Sequence, residues 1–329
     1  AARFVERGGR VLMLHQTALP AFIPGMPMID TRHAASFSWR HAEHPALAGL
    51  DEGQLRFWRP DHLVATETYI RPSVGAGIGV ATCGGRYGMH WSPLIEQRHG
   101  KGSVTFCQYL LAERTAIEPA AAVILSQAIR AALAATPMNP APPLRLLTPS
   151  PEMASLLATA HVATTNDLAG AGPILLNAAT PPAADTLKRL RVEVEEGRTL
   201  WLRGLNEQTL SAVQELLPWK PGFAPLPKNI FGAIRRSQHP LIAGLSTADF
   251  FWARGAFPKV STTPLGGPVI VPPQLDAAVL LTDPALLVAV PLGKGWVLID
   301  QLALHQAMAI ETERVSRIVA CLSRNSGAG

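Results

Sequence analysis

The second half of the chain alternates strand-length apolar runs with helix-length amphipathic ones. Leu144 to Leu147 reads as a strand, Ser150 to Ala160 as a helix with a serine cap and Pro151 at its first position, and Val162 to Thr164 as a short strand. Pro173 to Ala178 is another apolar run. A helix from about Ala183 to Glu195 carries Leu187, Leu190 and Val194 at 3.6-type spacing, stops at Gly197, and gives way to a strand over Thr199 to Leu202. Near-continuous apolar strands alternating with helices predict a parallel sheet covered on both faces. Further on, Thr262 to Val271, Ala277 to Thr282, Leu286 to Val290 and Trp296 to Ile299 read as short strands. Gly293-Lys294-Gly295 is a hairpin turn between the last two, and Thr312 to Leu322 a closing amphipathic helix.

The first half repeats the later part of this pattern. Val11 to Leu14, Gly77 to Thr82, Leu94 to Arg98 and Val104 to Phe106 are its strands, and Glu118 to Ala134, with Pro119 in the first turn, its closing helix. The repetition extends to the residues themselves. His44-Pro45-Ala46-Leu47-Ala48-Gly49-Leu50 and Phe57-Trp58-Arg59 return as His239-Pro240-Leu241-Ile242-Ala243-Gly244-Leu245 and Phe251-Trp252-Ala253-Arg254. Gly100-Lys101-Gly102, followed by Gln108, returns as Gly293-Lys294-Gly295, followed by Gln301. A period of roughly 190 residues is too long for a solenoid unit and predicts a duplicated domain. Upstream, Gly9 aligns with Gly197 and Val11 with Thr199. The second copy has a long segment before that point where the first has almost nothing, so the first copy is expected to be N-terminally truncated and the chain to be a fragment. The expected domains are residues 1–136 and 144–329. Between them lies a linker, 137–143, with four prolines in seven residues.

Composition narrows the partners. The net charge of +5 comes from scattered arginines without a Lys/Arg run, which argues against nucleic acid. No apolar stretch is long enough to predict a membrane-spanning helix. Three cysteines, Cys83, Cys107 and Cys321, are too few and too irregularly spaced for a disulfide framework or a zinc site. The histidines of the first half, His15, His33, His41, His44, His62, His90 and His99, lack the helical His-x-x-x-His spacing of a metal site, and no metal or cofactor is expected.

Ser92-Pro93-Leu94-Ile95-Glu96, Gly100-Lys101-Gly102 and Cys107-Gln108-Tyr109-Leu110, together with the His-Pro and Phe-Trp-Arg motifs, resemble the class I glutamine-amidotransferase-like domain. More narrowly they are similar to the version appended to large glycoside hydrolases of the β-galactosidase type, such as their trimerisation domain. The resemblance implies two tandem flavodoxin-like domains, doubly wound with mainly parallel sheets. Active members of that class carry a Gly-x-Cys-x-Gly elbow after a central strand. Here the corresponding turns read His15-Gln16-Thr17 and Arg203-Gly204-Leu205, without a Cys or Ser nucleophile.

Cys83, flanked by Gly84 and Gly85, is the nearest approach to a nucleophile, although a turn between strands explains the glycines equally. Trp58 and Trp252 are paired between the copies and suit either a sugar-stacking surface or an anchor for a loop. His44 and His239 head matching turns, which predicts capping or packing. The expectation is a non-catalytic accessory or oligomerisation module of a larger carbohydrate-active hydrolase. Its partners would be that protein's N-terminal hydrolase domains, a second copy of the chain, or a carbohydrate. The rival expectations are a stand-alone hydrolase using Cys83 with a histidine, and a sugar-binding module using Trp58 and Trp252.

Overall fold

The computed structural model describes residues 1–85, 88–134, 137, 141–225, 234–235, 239–250, 267–273, 275, 278–282, 285–309 and 311–327. The chain divides into two compact units, Ala1–Pro140 with Ala243–Leu245, and Ala141–Ile242 with Ser246–Gly329. Each is mixed α/β with its own sheet.

The first unit opens with α1 (Ala2–Glu6) and β1 (Arg10–Met13), then the short strands β2 (Ile29–Asp30), β3 (Trp39–Arg40) and β4 (Thr68–Ile70). A long hairpin of β5 (Gly77–Gly85) and β6 (Gly88–His99) leads to β7 (Gly102–Cys107), α2 (Leu111–Arg114) and α3 (Pro119–Ala134). β1 runs parallel to β7, and the other pairings are antiparallel. The mainly parallel sheet expected of this half is therefore corrected. Its successive long strands are joined by hairpins, and only a crossover returns a strand in the parallel sense. α3 buries Ala120, Ala121, Ile124 and Ala128 against a core that includes Trp58, Val80, Leu94 and Tyr109. Val123, Ile129 and Leu133 of the same helix stay exposed.

The second unit contains β8 (Leu144–Leu147), α4 (Pro151–Thr159), β9 (Thr164–Thr165), β10 (Ile174–Asn177), α5 (Ala184–Glu195), β11 (Thr199–Arg203) and α6 (Glu207–Leu210). It continues with β12 (Ile234–Arg235), β13 (Ala278–Thr282), β14 (Leu287–Leu292), β15 (Gly295–Asp300), α7 (Leu304–Met308) and α8 (Thr312–Asn325). Strands β9, β8, β10, β11 and β15 stand side by side and parallel, and β14, β13 and β12 continue the sheet antiparallel. β11 is buried at every position, as expected of a strand covered on both faces. From Val315 to Ser323, α8 is buried all round. The strand expected over Thr262 to Val271 falls partly outside the described residues, and its described end forms only the isolated bridge of Phe223 to Val269.

The two units are built on the same local frame. Arg10 pairs with Ser103 as Thr199 does with Trp296, and Leu94 pairs with Cys107 as Leu287 does with Asp300. The register of β5 against β6 slips after Gly79, and that of β13 against β14 slips after Val279, at matching positions. The pairing moves the upstream alignment by one residue: Gly8, with φ 111°, matches Gly197, with φ 117°, and Arg10 rather than Val11 matches Thr199. The same register carries Cys83 onto residue 283, which lies outside the described residues.

Each frame is tied by a glycine hairpin. Gly100 and Gly293 take φ 58° and 61° at the first central position of two-residue turns, the geometry that favours glycine there. The next amide reaches back to the preceding helix, Lys101 N–H to Glu6 O and Lys294 N–H to Glu195 O, both at 2.9 Å. The following glycines admit no side chain. A Cβ on Gly102 would stand 2.2 Å from the Val5 and Gly9 oxygens, and one on Gly295 2.1 Å from Arg198 O. These contacts explain why Gly-Lys-Gly occurs twice: the glycines set turn shape and close helix approach and are no phosphate loop.

Candidate functional site

In parallel α/β sheets, ligands and reactive groups gather where strands end at their carboxyl edge. The turns after β1 and β11 are the places to look. Both are occupied by a glutamine arriving from the neighbouring strand. Gln108 accepts the Gln16 N–H (2.9 Å) and donates to Gln16 O (2.7 Å). Gln301 accepts the Leu205 N–H (2.9 Å) and donates to Leu205 O (2.8 Å). A primary amide matches a peptide group donor for acceptor, so one side chain satisfies both backbone groups of the turn. Both glutamines are fully buried, and their role was not recognised from the sequence although the residues were paired there.

Beside the first turn, His15 gathers polar groups that sequence reasoning left unconnected. Its Nε2 lies 3.3 Å from Glu67 Oε2 and 3.2 Å from Thr66 Oγ1, and its Nδ1 lies 3.8 Å from Glu113 Oε1. Thr66 Oγ1 is the hydrogen-bond partner of Nε2, whereas Glu67 Oε2 lies buried beside the ring without a hydrogen bond. Glu113, at 3.8 Å from Nδ1, is beyond hydrogen-bond distance, so hydroxyl, imidazole and carboxylate are not joined in the series a nucleophile needs. In the second unit the matching position is Gly204, which brings no side chain.

The second unit instead opens a cavity of about 360 Å³ at the ends of β10 and β11, lined by Ser150, Glu152, Asn177, Arg203, Asn206 and His305 among others. Ser150 caps α4 by accepting the Met153 N–H at 3.2 Å. Arg203 is held on Asp300 at 2.6 Å, and Asp300 also accepts from Trp201 Nε1 (3.0 Å) and Leu302 N–H (2.8 Å). Burial and the nearby Arg203 charge push the pKa of His305 below its usual value, with Glu152 opposing.

The sequence candidates fall as follows. Cys83 lies in β5, buried in the core under α3, where burial pushes its thiol up to about 12 against a smaller opposing effect of Arg71. A thiolate is disfavoured there at neutral pH. Trp58 is also in that core, 1% exposed, stacked on Tyr109 at 5.4 Å and donating from Nε1 to Gln54 O at 2.8 Å. That is the environment of a loop anchor. Trp252 lies outside the described residues. An indole the sequence reading passed over, Trp39, is 41% exposed, with the Arg56 guanidinium 5.2 Å from its ring centre. His44 and His239 cap matching turns, each accepting at Nδ1 from the backbone N–H two residues on, Ala46 and Leu241, at 3.2 Å. Among the described residues no group of His, Cys, Asp and Glu is arranged to hold a metal ion, and no helix is long and apolar enough to cross a membrane.

No family model and no curated protein matches the chain. Among solved structures it is similar to the exo-beta-1,4-mannosidase Op5Man5 from Opitutaceae bacterium strain TAV5. The identity is 14% and the TM-score 0.35, over 63% of this chain and 38% of that enzyme. The chain thus spans well under half the enzyme's length. At that score the likeness carries neither a fold nor an activity over to this chain.

Proposed function

We propose that the chain is a scaffold: two tandem amidotransferase-like units, the second flavodoxin-like and the first sharing only its later, largely antiparallel half, serving a larger β-galactosidase-type glycoside hydrolase as an accessory and oligomerisation module. The observation that carries this reading is the glutamine bracket. At both turns where the class projects a nucleophile, a buried amide instead closes the backbone on itself. Three further features support it. The parallel strands of the second unit, numbered along the chain, stand in the order 2-1-3-4-5 of flavodoxin-like sheets. Cys83 is held as a thiol in a core. The first unit presents β1 at the edge of its sheet and Ile129 and Leu133 at 43% and 82% exposure, surface that a hydrolase domain or a second copy could cover. Sedimentation of the purified chain, alone and mixed with a β-galactosidase-type catalytic domain, tests the reading. Self-association or complex formation weakened by Leu133→Asp is expected, and a chain that stays monomeric and unbound in both settings would refute it. The rival hydrolase reading has its best geometry at Thr66 and His15, and there the Glu113 carboxylate, 3.8 Å from Nδ1, is beyond hydrogen-bond distance of the ring.

A further inference from the structure

The first unit contains a cavity of about 620 Å³ between α3, the His44 turn and the amino ends of β1 and β7. Its polar wall is built. Arg10 lies 3.5 Å from Glu96 Oε1 and 2.5 Å from Ser103 Oγ, and His44 Nε2 lies 3.2 Å from Glu96 Oε2. Because His44 Nδ1 accepts the Ala46 N–H, the ring proton sits on Nε2 and points at the carboxylate. Burial alone would raise the pKa of Glu96, but the hydrogen bond and nearness of His44, then Ser103 and Arg98, bring it down to about 2. The carboxylate is therefore a charged acceptor at neutral pH. From α3, Gln127 lines the cavity and donates to Ala48 O at 2.9 Å.

The second unit shows what this place looks like when filled. Ser103 is matched by Trp296, whose ring stands edge-on to His239 at 4.6 Å and 86°. Glu96 is matched by Ala289, and Arg10 by Thr199. One half plugs the site with an indole, and the other replaces the plug with an arginine, a carboxylate and a hydroxyl around an opening. A void of this size, with a few fixed polar groups set against the apolar wall of Pro45, Ala48 and the α3 alanines, is what a small-molecule site requires.

We infer that this cavity binds a neutral polyhydroxylated molecule of about pyranose size. The Glu96 carboxylate and the Ser103 hydroxyl ask for a ligand that can donate, while Arg10 and the exposed Arg130 at the rim disfavour an ammonium group. Glu96 in turn disfavours a phosphate. Hydroxyls both donate and accept, so they satisfy the whole set. The inference does not depend on the accessory-module reading.

Titration calorimetry of the full chain with glucose, galactose, mannose and myo-inositol, and separately with inorganic phosphate and putrescine, tests it. At least one polyol should bind saturably with a Kd of about 1 mM. Ser103→Trp, which rebuilds the second unit's plug, should weaken it more than about tenfold without lowering the melting temperature. Gln127→Leu should weaken it about tenfold. If Ser103→Trp does not fold, Gln127→Leu and Glu96→Gln decide on their own. The inference is overturned by saturable binding of phosphate or putrescine in preference to every polyol, by no saturable polyol binding at roughly a hundred times that concentration, or by polyol affinity indifferent to these substitutions.

Discussion

At matched positions the two units exchange polar for apolar groups at opposite ends of one strand pair. Where β1 and β7 begin, the first unit holds Arg10 and Ser103 against Glu96, and the second holds Thr199 and Trp296 against Ala289. Where the strands end, the relation reverses. The second unit buries Trp201, Arg203 and Asp300 as one hydrogen-bonded group, and the first places Leu12, Leu14 and Cys107 in its core. What does not change is the set of side chains that answer the backbone: the turn glycines, the capping histidines and the bracketing glutamines. A frame survives divergence where a side chain serves the main chain, because no other residue supplies the same donor, acceptor or absence of Cβ. Charges are interchangeable provided each arrives with its partner.

The largest way to sharpen this contrast is Arg203→Met. It leaves Asp300 buried with its charge uncompensated, and chemical denaturation should show a loss of about 3–5 kcal/mol. The matched change in the first unit, Leu14→Met, should cost less than about 1.5 kcal/mol. Equal losses would mean the buried pair contributes only packing.

Next come the brackets. Gln301→Leu strands the N–H and C=O of Leu205, which is fully buried, and should cost about 2–4 kcal/mol. Gln108→Leu should cost about half as much, since Gln16 is only half-buried and its backbone groups can turn to water. A reversed order would break the claim that the bracket matters most where water is absent.

Last comes the acid response of the first unit, which is felt only at low pH. The folded pKa of Glu96 is depressed to about 2, so its stabilisation is present above the unfolded carboxylate value and is lost as pH falls from about 4.5 towards 2. Up to about 3 kcal/mol is at stake, and Glu96→Gln should flatten that part of the stability profile. An unchanged profile would show that His44, Ser103 and Arg98 leave Glu96 unperturbed.

Much of the frame was legible in the chain because periodicity and glycine placement act locally. The hairpins, the closing helices and the parallel strands of the second unit follow from them, as do the paired His-Pro turns. The short strands Ile29–Asp30, Trp39–Arg40 and Thr68–Ile70 left no periodic trace, since two or three residues carry no alternation. The one-residue shift at Gly8 was invisible because Gly8 and Gly9 are adjacent and only a positive φ tells them apart. The polar cavity was hidden for a different reason. Arg10, His44, Glu96 and Ser103 are scattered along the chain, and nothing in their spacing groups them. The asymmetry between the copies was the available signal: Ser103 and Glu96 stand in the first half where the second has Trp296 and Ala289.

The central claim is that these turns are structural and that the chain performs no chemistry at them. Assaying the purified chain for hydrolysis of aryl glycosides and aryl esters, beside Cys83→Ala and His15→Ala, tests it most directly. The account predicts no turnover above buffer for any of the three, with His15→Ala lowering the melting temperature. Saturable turnover by the natural chain that disappears in His15→Ala or Cys83→Ala, with the fold intact, would contradict it.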